Sequence, residues 1–445
     1  MPSERTMATH PDFPDARWID VLIPDMWGIP RGKRLAASAM EKVLTTGIVL
    51  PGSTYAMDMQ GNNVESTGMG FADGDPDYPC HAVTETLAPV PWRGSDHAQV
   101  MLSMRDAADR PWWLDPRHVV ERMATILGAL GYRARVAFEL EFYLVDRDSD
   151  GALHPAPPPG SSRRPSQTQV YLMDDVEAYG PVLDDMVTTC RRQNIPADVI
   201  TMEYAPAQFE INLHYGDDPL TACDHAFLMK RAIKAVARSH GMTATFMARP
   251  FEGLSTSGTH VHISLLDGEG RNVFDDGSDE GSAVLRHAVA GLAATMAEAM
   301  PIWAPGANSY RRLAPGGWVS LAASWGYNNR DVALRIPGGA ASGRRIEHRT
   351  AGADANPYLV LAAILGGLHH GLSKRLDPGP PAGADPASLP VFWVDALRSF
   401  DQADVLPGYF TQDWWRVYSA LAWSEFHTFN GHVTTLEHDR FLTLV

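Results

Sequence analysis

Carboxylate and imidazole side chains alternate with apolar side chains in several short stretches of this 445-residue sequence. In VAFELEFYL, Glu139 and Glu141 flank a single leucine, and in AQFEINLH, Glu210 stands between two apolar neighbours. In GTHVHISL, His260 and His262 flank a valine. Because successive side chains of a β-strand point to opposite faces of the sheet, each stretch predicts a strand with an apolar back and a polar front.

Four strands share this polarity, the fourth being RRIEHR, which aligns Arg345, Glu347 and Arg349. A single strand of this kind is typical of glutamates that face water, but four of them predict one polar cavity. Carboxylates with few imidazoles suit Mg²⁺ or Mn²⁺ better than zinc, and arginines bind phosphate or carboxylate groups through two hydrogen bonds. These residue types indicate a metal-dependent enzyme that uses ATP without a P-loop, with an unspecified metal hydrolase as the alternative.

The predicted secondary structure that must position these strands changes near residue 110, from strands before it to a helix after it. Before that point, WIDVLIPDMWGIPRGKRL and HAQVMLSMRD predict strands and a basic hairpin arm. After it, DPRHVVERMATILGALGY predicts an amphipathic helix with Pro116 in its first turn. The remainder mixes helices, strands and long loops without regular βαβ alternation, which predicts an α+β protein of two domains.

Composition narrows the function classes. The formal charge of −16 disfavours a nucleic-acid partner, because phosphate backbones attract the opposite sign. Three cysteines without a CxxC pair favour a reducing compartment, and the N-terminus shows no secretory signal. The segment NPYLVLAAILGGLHHGL is apolar but too short to cross a membrane, so it predicts a buried helix. We therefore expect a cytoplasmic protein with neither a nucleic-acid nor a membrane partner.

Seven motifs, in a fixed order, resemble the catalytic domain of the glutamine synthetase family. They are ELEFYL, EYAPAQFE, GTHVHISL, NSYRRLAPG, NNRDVALRIP, RRIEHR and ADANPYLVLAAIL. The resemblance implies an α+β fold with a tail at 1–16, a small N-terminal β-grasp domain at 17–110, and a catalytic domain at 111–445 with an antiparallel, curved sheet flanked by helices. It also implies homo-oligomeric rings, usually dodecamers of two hexamers, with each active site between neighbouring subunits.

The same resemblance implies a role for each motif residue. Two divalent metals, Mg²⁺ or Mn²⁺, would be bound by Glu141, Glu203 and Glu210 and by Glu139, His260 and Glu347. L-Glutamate and the transferred phosphate would be contacted by Arg312, Arg330 and Arg349, and by the loop that holds Ser255 and Gly258. The nucleotide would be contacted by His262, Ser264, Arg335 and Arg345. In this chemistry ATP converts a glutamate carboxylate into γ-glutamyl phosphate, and an amine then displaces the phosphate.

Two positions depart from the pattern of the ammonia-using members. Pro51 in LPGSTYAMD replaces an aspartate, and Trp318, six residues after Arg312, replaces a flap glutamate. A bare ammonium ion needs those charges, whereas tryptophan offers apolar area and a π-face to an alkyl chain or to a second ammonium group. With RGK at 31–33 and GDPD at 74–77, the sequence resembles the γ-glutamylpolyamine synthetase branch. Ser255 and Thr256 also replace a pair that contacts the glutamate backbone.

The acceptor expected from this pattern is an organic amine, with putrescine or another polyamine favoured. Such an amine is protonated at neutral pH, so an acid must bind the cation and accept its proton. The candidates in the acidic loop are Asp58, Glu65, Asp73, Asp75 and Asp77, of which Asp75 is the preferred base. A ligase for a monoamine such as ethanolamine, an ammonia-using glutamine synthetase, and a non-catalytic family member are the alternatives.

Overall fold

The computed structural model describes residues 12–167, 170–381 and 386–445 of the chain. Residues 1–11 of the expected tail lie outside this part. The strands are β1 Trp18–Pro24, β2 Pro30–Ala36, β3 Ile48–Pro51, β4 Asp77–Pro89, β5 His97–Met104, β6 Arg133–Arg147, β7 Leu153–Pro155, β8 Ala197–Met202, β9 Gln208–Leu213, β10 Thr243–Thr245, β11 Thr259–Leu266, β12 Trp325–Tyr327, β13 Leu334–Ile336 and β14 Ile346–His348.

The helices complete an α+β fold, as the sequence predicts. They are α1 Met40–Thr45, α2 Pro116–Ala129, α3 Met173–Ala178, α4 Gly180–Arg192, α5 Pro219–Ser239, α6 Ala283–Thr295, α7 Met300–Trp303, α8 Ala307–Tyr310, α9 Pro357–Lys374, α10 Trp393–Asp401, α11 Leu406–Phe410, α12 Gln412–Asn430 and α13 Thr435–Phe441. Helix α2 begins at Pro116, and Asp115 caps it by accepting a hydrogen bond from the Arg117 amide. None of the helices described is long and apolar enough to cross a membrane.

The first five strands form a mixed sheet of order β2-β1-β5-β4-β3. Strands β1 and β2 form an antiparallel hairpin, and β1 runs parallel to β5 at the centre of the sheet. Helix α1 lies in the connection between β2 and β3, which gives the β-grasp arrangement expected from the resemblance. Strands β1 and β5 are almost entirely buried, so they read as apolar runs in the sequence.

The remaining nine strands form the second sheet, whose main path is β12-β13-β14-β11-β6-β9-β8. Every pair along this path is antiparallel except β12 with β13. Phe138, Leu140 and Phe142 of β6 are buried on the apolar back of the sheet, as the alternation in the sequence predicts. The front of the sheet carries the polar residues.

Helix α9 is the buried helix that NPYLVLAAILGGLHHGL predicts, and it packs closely against α6. A Cβ atom on Gly291 of α6 would lie 2.1 Å from the Gly367 carbonyl oxygen, and one on Gly371 would lie 2.0 Å from the His287 carbonyl oxygen. Glycine at these positions therefore permits backbone contact between the two helices. The contact brings α9 against the rest of the core.

Side chains of the larger sheet and its helices reach the smaller sheet directly. Arg231 of α5 donates to Asp20 of β1 at 2.8 Å and to Gln99 of β5 at 3.1 Å. Asn356, which caps α9, donates from Nδ2 to the carbonyl oxygens of Asp25 and Met26 at 3.0 and 3.2 Å. Both links are buried or partly buried, so they hold the two sheets in one packed unit.

Candidate active site

Strand register brings the polar residues of four strands into adjacent positions. Across the β6–β11 ladder Glu139 is paired with His260, and across the β6–β9 ladder Glu141 is paired with Glu210. Directly opposed residues on one face of an antiparallel pair have Cβ atoms about 5 Å apart, so side-chain contact follows from the register. The β11–β14 ladder adds Glu347 opposite His262.

One cluster consists of the three glutamates Glu141, Glu203 and Glu210, whose carboxylate oxygens lie within 4.8 Å of one another. Burial, reinforced by the Glu203 carboxylate, raises the pKa of Glu141 to about 8. Burial and the neighbouring carboxylates also raise the pKa of Glu210 well above its usual range. Three crowded carboxylates of this kind form a site that a divalent cation would neutralise.

The second predicted ligand set surrounds His260. Its Nδ1 atom lies 3.2 Å from Oε2 of Glu139 and 3.9 Å from Oε1 of Glu347. The structure also brings His262 to this set, because its Nε2 atom lies 2.8 Å from Oε1 of Glu139 without the alignment of a hydrogen bond. Burial disfavours the charged form of Glu139, but the two imidazoles outweigh it and lower the pKa well below its usual range.

These residues fit divalent cations on geometry and on chemistry. Glu139 and Glu210 form a group with His260, and Glu139 and Glu347 form another with His262, each with ligand atoms within 4.8 Å of one another. Together with the three-glutamate cluster, this gives carboxylate-rich sets with one imidazole at most, which suits Mg²⁺ or Mn²⁺.

Three arginines surround the clusters and keep unpartnered N–H groups. Arg349 and Arg335 both donate to the carboxylate of Glu347, the latter at 2.7 Å. Arg312 is 5% exposed and donates to the main-chain oxygens of Thr350 and Arg349 at 2.7 and 3.2 Å. The Nε atoms of all three arginines are buried without a hydrogen-bond partner in the described protein. Buried unpartnered donors favour an anionic ligand.

The loop predicted to contact glutamate lies between these groups. The Gly258 amide donates to Oε2 of Glu141 at 2.7 Å, and a Cβ atom on Gly258 would lie 2.6 Å from Nη2 of Arg312. The Ser255 carbonyl accepts a hydrogen bond of 2.6 Å from the Tyr143 hydroxyl, which fixes the start of the loop. The close approach of a guanidinium group, and not the φ angle, therefore favours glycine at position 258.

Of the predicted nucleotide residues, His262 and Arg335 contact the clusters directly, and Arg345 and Ser264 lie beside His262 on the same face. Arg345 donates from Nε to Nδ1 of His262 at 2.9 Å, so the imidazole is held between an arginine and Glu139. Ser264 is paired with Arg135 across the β6–β11 ladder. The Arg135 guanidinium lies 4.9 Å from the centroid of the Tyr215 ring, beside a cavity of about 250 Å³.

Two predicted residues lie apart from the buried clusters. Arg330 is exposed, although its charge still acts to lower the pKa of Glu203. Asp75 has a left-handed backbone with φ of 48° and accepts a hydrogen bond of 3.4 Å from the Ser53 amide. It therefore lies against the 51–53 segment, in which Pro51 departs from the expected family pattern. No described contact joins Asp75 to the glutamate clusters of the same chain.

Trp318 lies on the loop that follows Arg312 and is 55% exposed. Its ring stacks on the ring of Tyr204, with centroids 5.9 Å apart and an interplanar angle of 28°. Tyr204 directly follows the cluster residue Glu203, so the aromatic pair stands at the edge of the three-glutamate cluster.

The model of the glutamine synthetase catalytic domain matches residues 113–441. The γ-glutamylputrescine synthetase PuuA of Escherichia coli (strain K12) is 41% identical over 96% of this chain and 91% of its own length. The chain belongs to the glutamine synthetase family.

Other family members extend this likeness. A glutamate–isopropylamine ligase of Pseudomonas sp is 33% identical over 83% of this chain and 82% of its own. The γ-glutamylethanolamide synthetase GlnA4 of Streptomyces coelicolor (strain ATCC BAA-471 / A3(2) / M145) is 31% identical over 95% and 92%. The solved structure titled "GmaS/ADP complex-Conformation 1" has the same fold, with a TM-score of 0.83 at 24% identity, covering 96% of this chain and 97% of that one.

In this glutamine synthetase family member, two aromatic residues at or beside the candidate site do not follow from the sequence patterns. One is Tyr204, and its position directly after the predicted ligand Glu203 is the feature of the sequence that indicates it. Tyr215 is the other, and it follows His214 at the end of the β9 stretch. Neither ring can be assigned from periodicity, because each gains its partner from a distant part of the chain.

Proposed function

We propose that this protein is an ATP-dependent ligase that joins the γ-carboxyl group of L-glutamate to an organic amine, with putrescine or another polyamine favoured. The observation that carries the proposal is the exposed Trp318–Tyr204 pair beside the three-glutamate cluster. The apolar area of the two rings contributes binding energy to the carbon chain of an acceptor amine, which ammonium lacks. The 41% identity to a γ-glutamylputrescine synthetase supports the same acceptor class.

The first half-reaction would transfer the γ-phosphate of ATP to glutamate. Two divalent ions, bound by Glu141, Glu203 and Glu210 and by Glu139, His260 and Glu347, would neutralise charge on the transferred phosphate when bound. The buried N–H groups of Arg312, Arg335 and Arg349 would orient the carboxylate and phosphate oxygens. His262, Ser264, Arg335 and Arg345 would contact the nucleotide.

The second half-reaction needs the amine in its neutral form, at the γ-carbon of γ-glutamyl phosphate. We assign Asp75 as the acid that binds the ammonium group and accepts its proton, because it lies against the loop where related enzymes carry an aspartate. Since Asp75 makes no described contact with the clusters of its own chain, it would serve the site of an adjoining subunit. Arg330 would assist from the exposed side of the site.

Two relatives favour a monoamine as the second candidate acceptor. One is named for isopropylamine and the other for ethanolamide, at 33% and 31% identity. Both acceptors also carry carbon, so an aromatic pair separates them from ammonium but does not by itself separate a monoamine from a diamine of similar chain length.

A phosphate-release screen with the purified full chain, L-glutamate, Mg²⁺-ATP and a panel of amines tests the proposal. We expect the highest kcat/KM with putrescine or another polyamine, little turnover with ammonium, and a γ-glutamyl amide product by mass spectrometry. Turnover with ammonium that equals or exceeds turnover with every amine would overturn the proposal. If the purified protein binds neither Mn²⁺ nor ATP, a non-catalytic family member would be favoured instead.

We also propose that the protein forms homo-oligomeric rings, a dodecamer of two hexamers, in the cytoplasm. Helix α13 and the residues after it expose large apolar side chains that a second copy would cover, among them Leu436, Phe441 and Leu442. The three cysteines are buried and unpaired, in keeping with a reducing compartment. Light scattering of the wild type and of Leu442→Asp should give a smaller particle for the variant, and equal masses would argue against this contact.

A further inference from the structure

The backbone that carries Tyr204 is held in place by hydrogen bonds of its own loop. The Glu203 amide donates to the Gln208 carbonyl at 2.9 Å, and the Ala205 amide donates to Oε1 of Gln208 at 3.2 Å. The Gln208 side chain in turn donates to the Thr256 carbonyl at 3.0 Å. The backbone on both sides of Tyr204 is therefore fixed against the loop that carries Gly258.

The ring nevertheless faces outward. Tyr204 is 42% exposed, although its neighbours Ala205 and Met202 are buried, and its described ring contact is the stack with Trp318. Much of each ring is therefore accessible, on a surface that begins one residue from Glu203. Single exposed aromatic residues are common on proteins, but two stacked rings at the edge of a charged cluster form a surface suited to a ligand.

We propose that Tyr204 is a specificity-determining residue, which with Trp318 forms the wall along which the carbon chain of the acceptor amine lies. The inference rests on the proposed ligase function and deepens it. It assigns recognition of the amine's carbon chain to the two rings, and it assigns the dependence of kcat/KM on the length of that carbon chain to their combined surface. Ammonium has no carbon to place on this wall. Tyr204 acts on the acceptor alone, since the glutamate and nucleotide groups are contacted elsewhere.

The expected dependence on chain length follows from apolar burial. Each methylene group removed from water is worth about 0.8 kcal/mol, which is about a four-fold gain in kcat/KM per methylene when burial is complete. If one of the two rings is removed, the carbon chain of the amine is only partly buried. For Tyr204→Ala we therefore expect the ratio of kcat/KM for butylamine to that for methylamine to fall about ten-fold.

The experiment measures kcat/KM of the full-length enzyme for ammonium, methylamine, propylamine, butylamine and putrescine. In Tyr204→Ala, kcat/KM should increase less steeply with the length of the amine's carbon chain, while KM for ATP and for glutamate stays within about two-fold of wild type. Tyr204→Phe keeps the ring and should keep the wild-type increase of kcat/KM with chain length. Phe392→Ala, at an exposed aromatic residue before α10, is the matched control and should change neither quantity.

Other outcomes separate this inference from the ligase proposal. If the wild type prefers ammonium, the ligase proposal fails, whatever Tyr204 does. If the wild type prefers amines but Tyr204→Ala lowers all acceptors by the same factor, the ring is structural and the inference fails alone. The inference also fails alone if Tyr204→Ala changes the particle mass in light scattering, because the ring would then be a subunit contact.

Discussion

The two halves of the site are built in opposite ways. On the proposed donor side, which comprises the glutamate, histidine and arginine clusters, most groups are buried, charged and borne by paired strands. On the proposed acceptor side, which comprises Trp318, Tyr204 and Asp75, the groups lie on loops, and the two rings are exposed and neutral. A reaction step shared by the family needs the first construction, because electrostatic stabilisation requires fixed groups shielded from water. The choice of acceptor can reside in the second, where a loop side chain can change without disturbing the sheet.

The largest effect should come from the centre of the donor side. Glu141→Gln removes one ionisable ligand from the three-glutamate cluster, and we expect Mn²⁺ affinity by calorimetry and kcat to fall by more than about 100-fold, since loss of even an outer partner of a metal ligand costs about 10- to 100-fold. Glu269→Gln, at an exposed glutamate beside Arg271, should leave both unchanged. Unaltered Mn²⁺ binding in Glu141→Gln would remove this residue from the proposed ligands.

Close packing on the donor side gives the next prediction. Gly258→Ala places a Cβ atom 2.6 Å from Nη2 of Arg312, which is buried and cannot move freely. Overpacking of this kind costs about 1–3 kcal/mol, so we expect KM for glutamate to rise about ten-fold with KM for the amine little changed. Gly268→Ala, where a Cβ atom meets nothing within 4 Å, is the control. Equal kinetics for both variants would mean that Arg312 does not orient glutamate.

On the acceptor side a single substitution should redirect the reaction. Trp318→Glu replaces an aromatic face with the carboxylate that the family resemblance implies for ammonia-using members. We expect kcat/KM for butylamine to fall, and that for ammonium to rise, each by about ten-fold, as for the loss or gain of about 1.4 kcal/mol. Parallel phosphate-release assays check this. If ammonium use stays absent and amine use is unchanged, Trp318 does not form the acceptor wall.

The smallest effect concerns stability behind the donor side. Lys230 is buried, donates to the Ala355 carbonyl at 3.2 Å, and has its pKa lowered to about 7, chiefly by burial. The unfolded chain therefore binds more protons than the folded one between pH 7 and about 10, so wild-type stability should rise with pH across that range. Lys230→Met removes this contribution.

Thermal midpoints at pH 7 and pH 9 test the prediction. The increase on going to pH 9 should be smaller in Lys230→Met than in the wild type. Lys42→Met, at an exposed lysine of α1, should behave as the wild type does. An identical pH response in all three proteins would show that Lys230 titrates normally.

The contrast between residues on paired strands and residues on loops also decides which parts of the site the sequence could predict. Glu139, Glu141 and His260 follow from period-two alternation, because strand geometry alone puts their side chains on one face. The short strands β7, β10, β12 and β13 have three residues each, too few to show a period, and the sequence did not predict them.

Contacts between loops lie beyond periodicity altogether. Glu203 follows the end of β8, so its place among the ligands came from the family resemblance and not from strand alternation. The Tyr204–Trp318 stack joins residues more than a hundred positions apart, and nothing local in either loop encodes it. Trp318 is predicted because it departs from the family pattern, whereas its partner Tyr204 is not predicted.

The links between the two sheets have a consequence for folding. Arg231 and Asn356 donate into the smaller sheet from helices that also support the catalytic face. A chain cut near residue 110 would leave these buried or partly buried donors without their protein partners, at a cost of up to about 1–3 kcal/mol each. The N-terminal sheet is then part of the cooperative unit of the catalytic half, and calorimetry should record one unfolding transition for both.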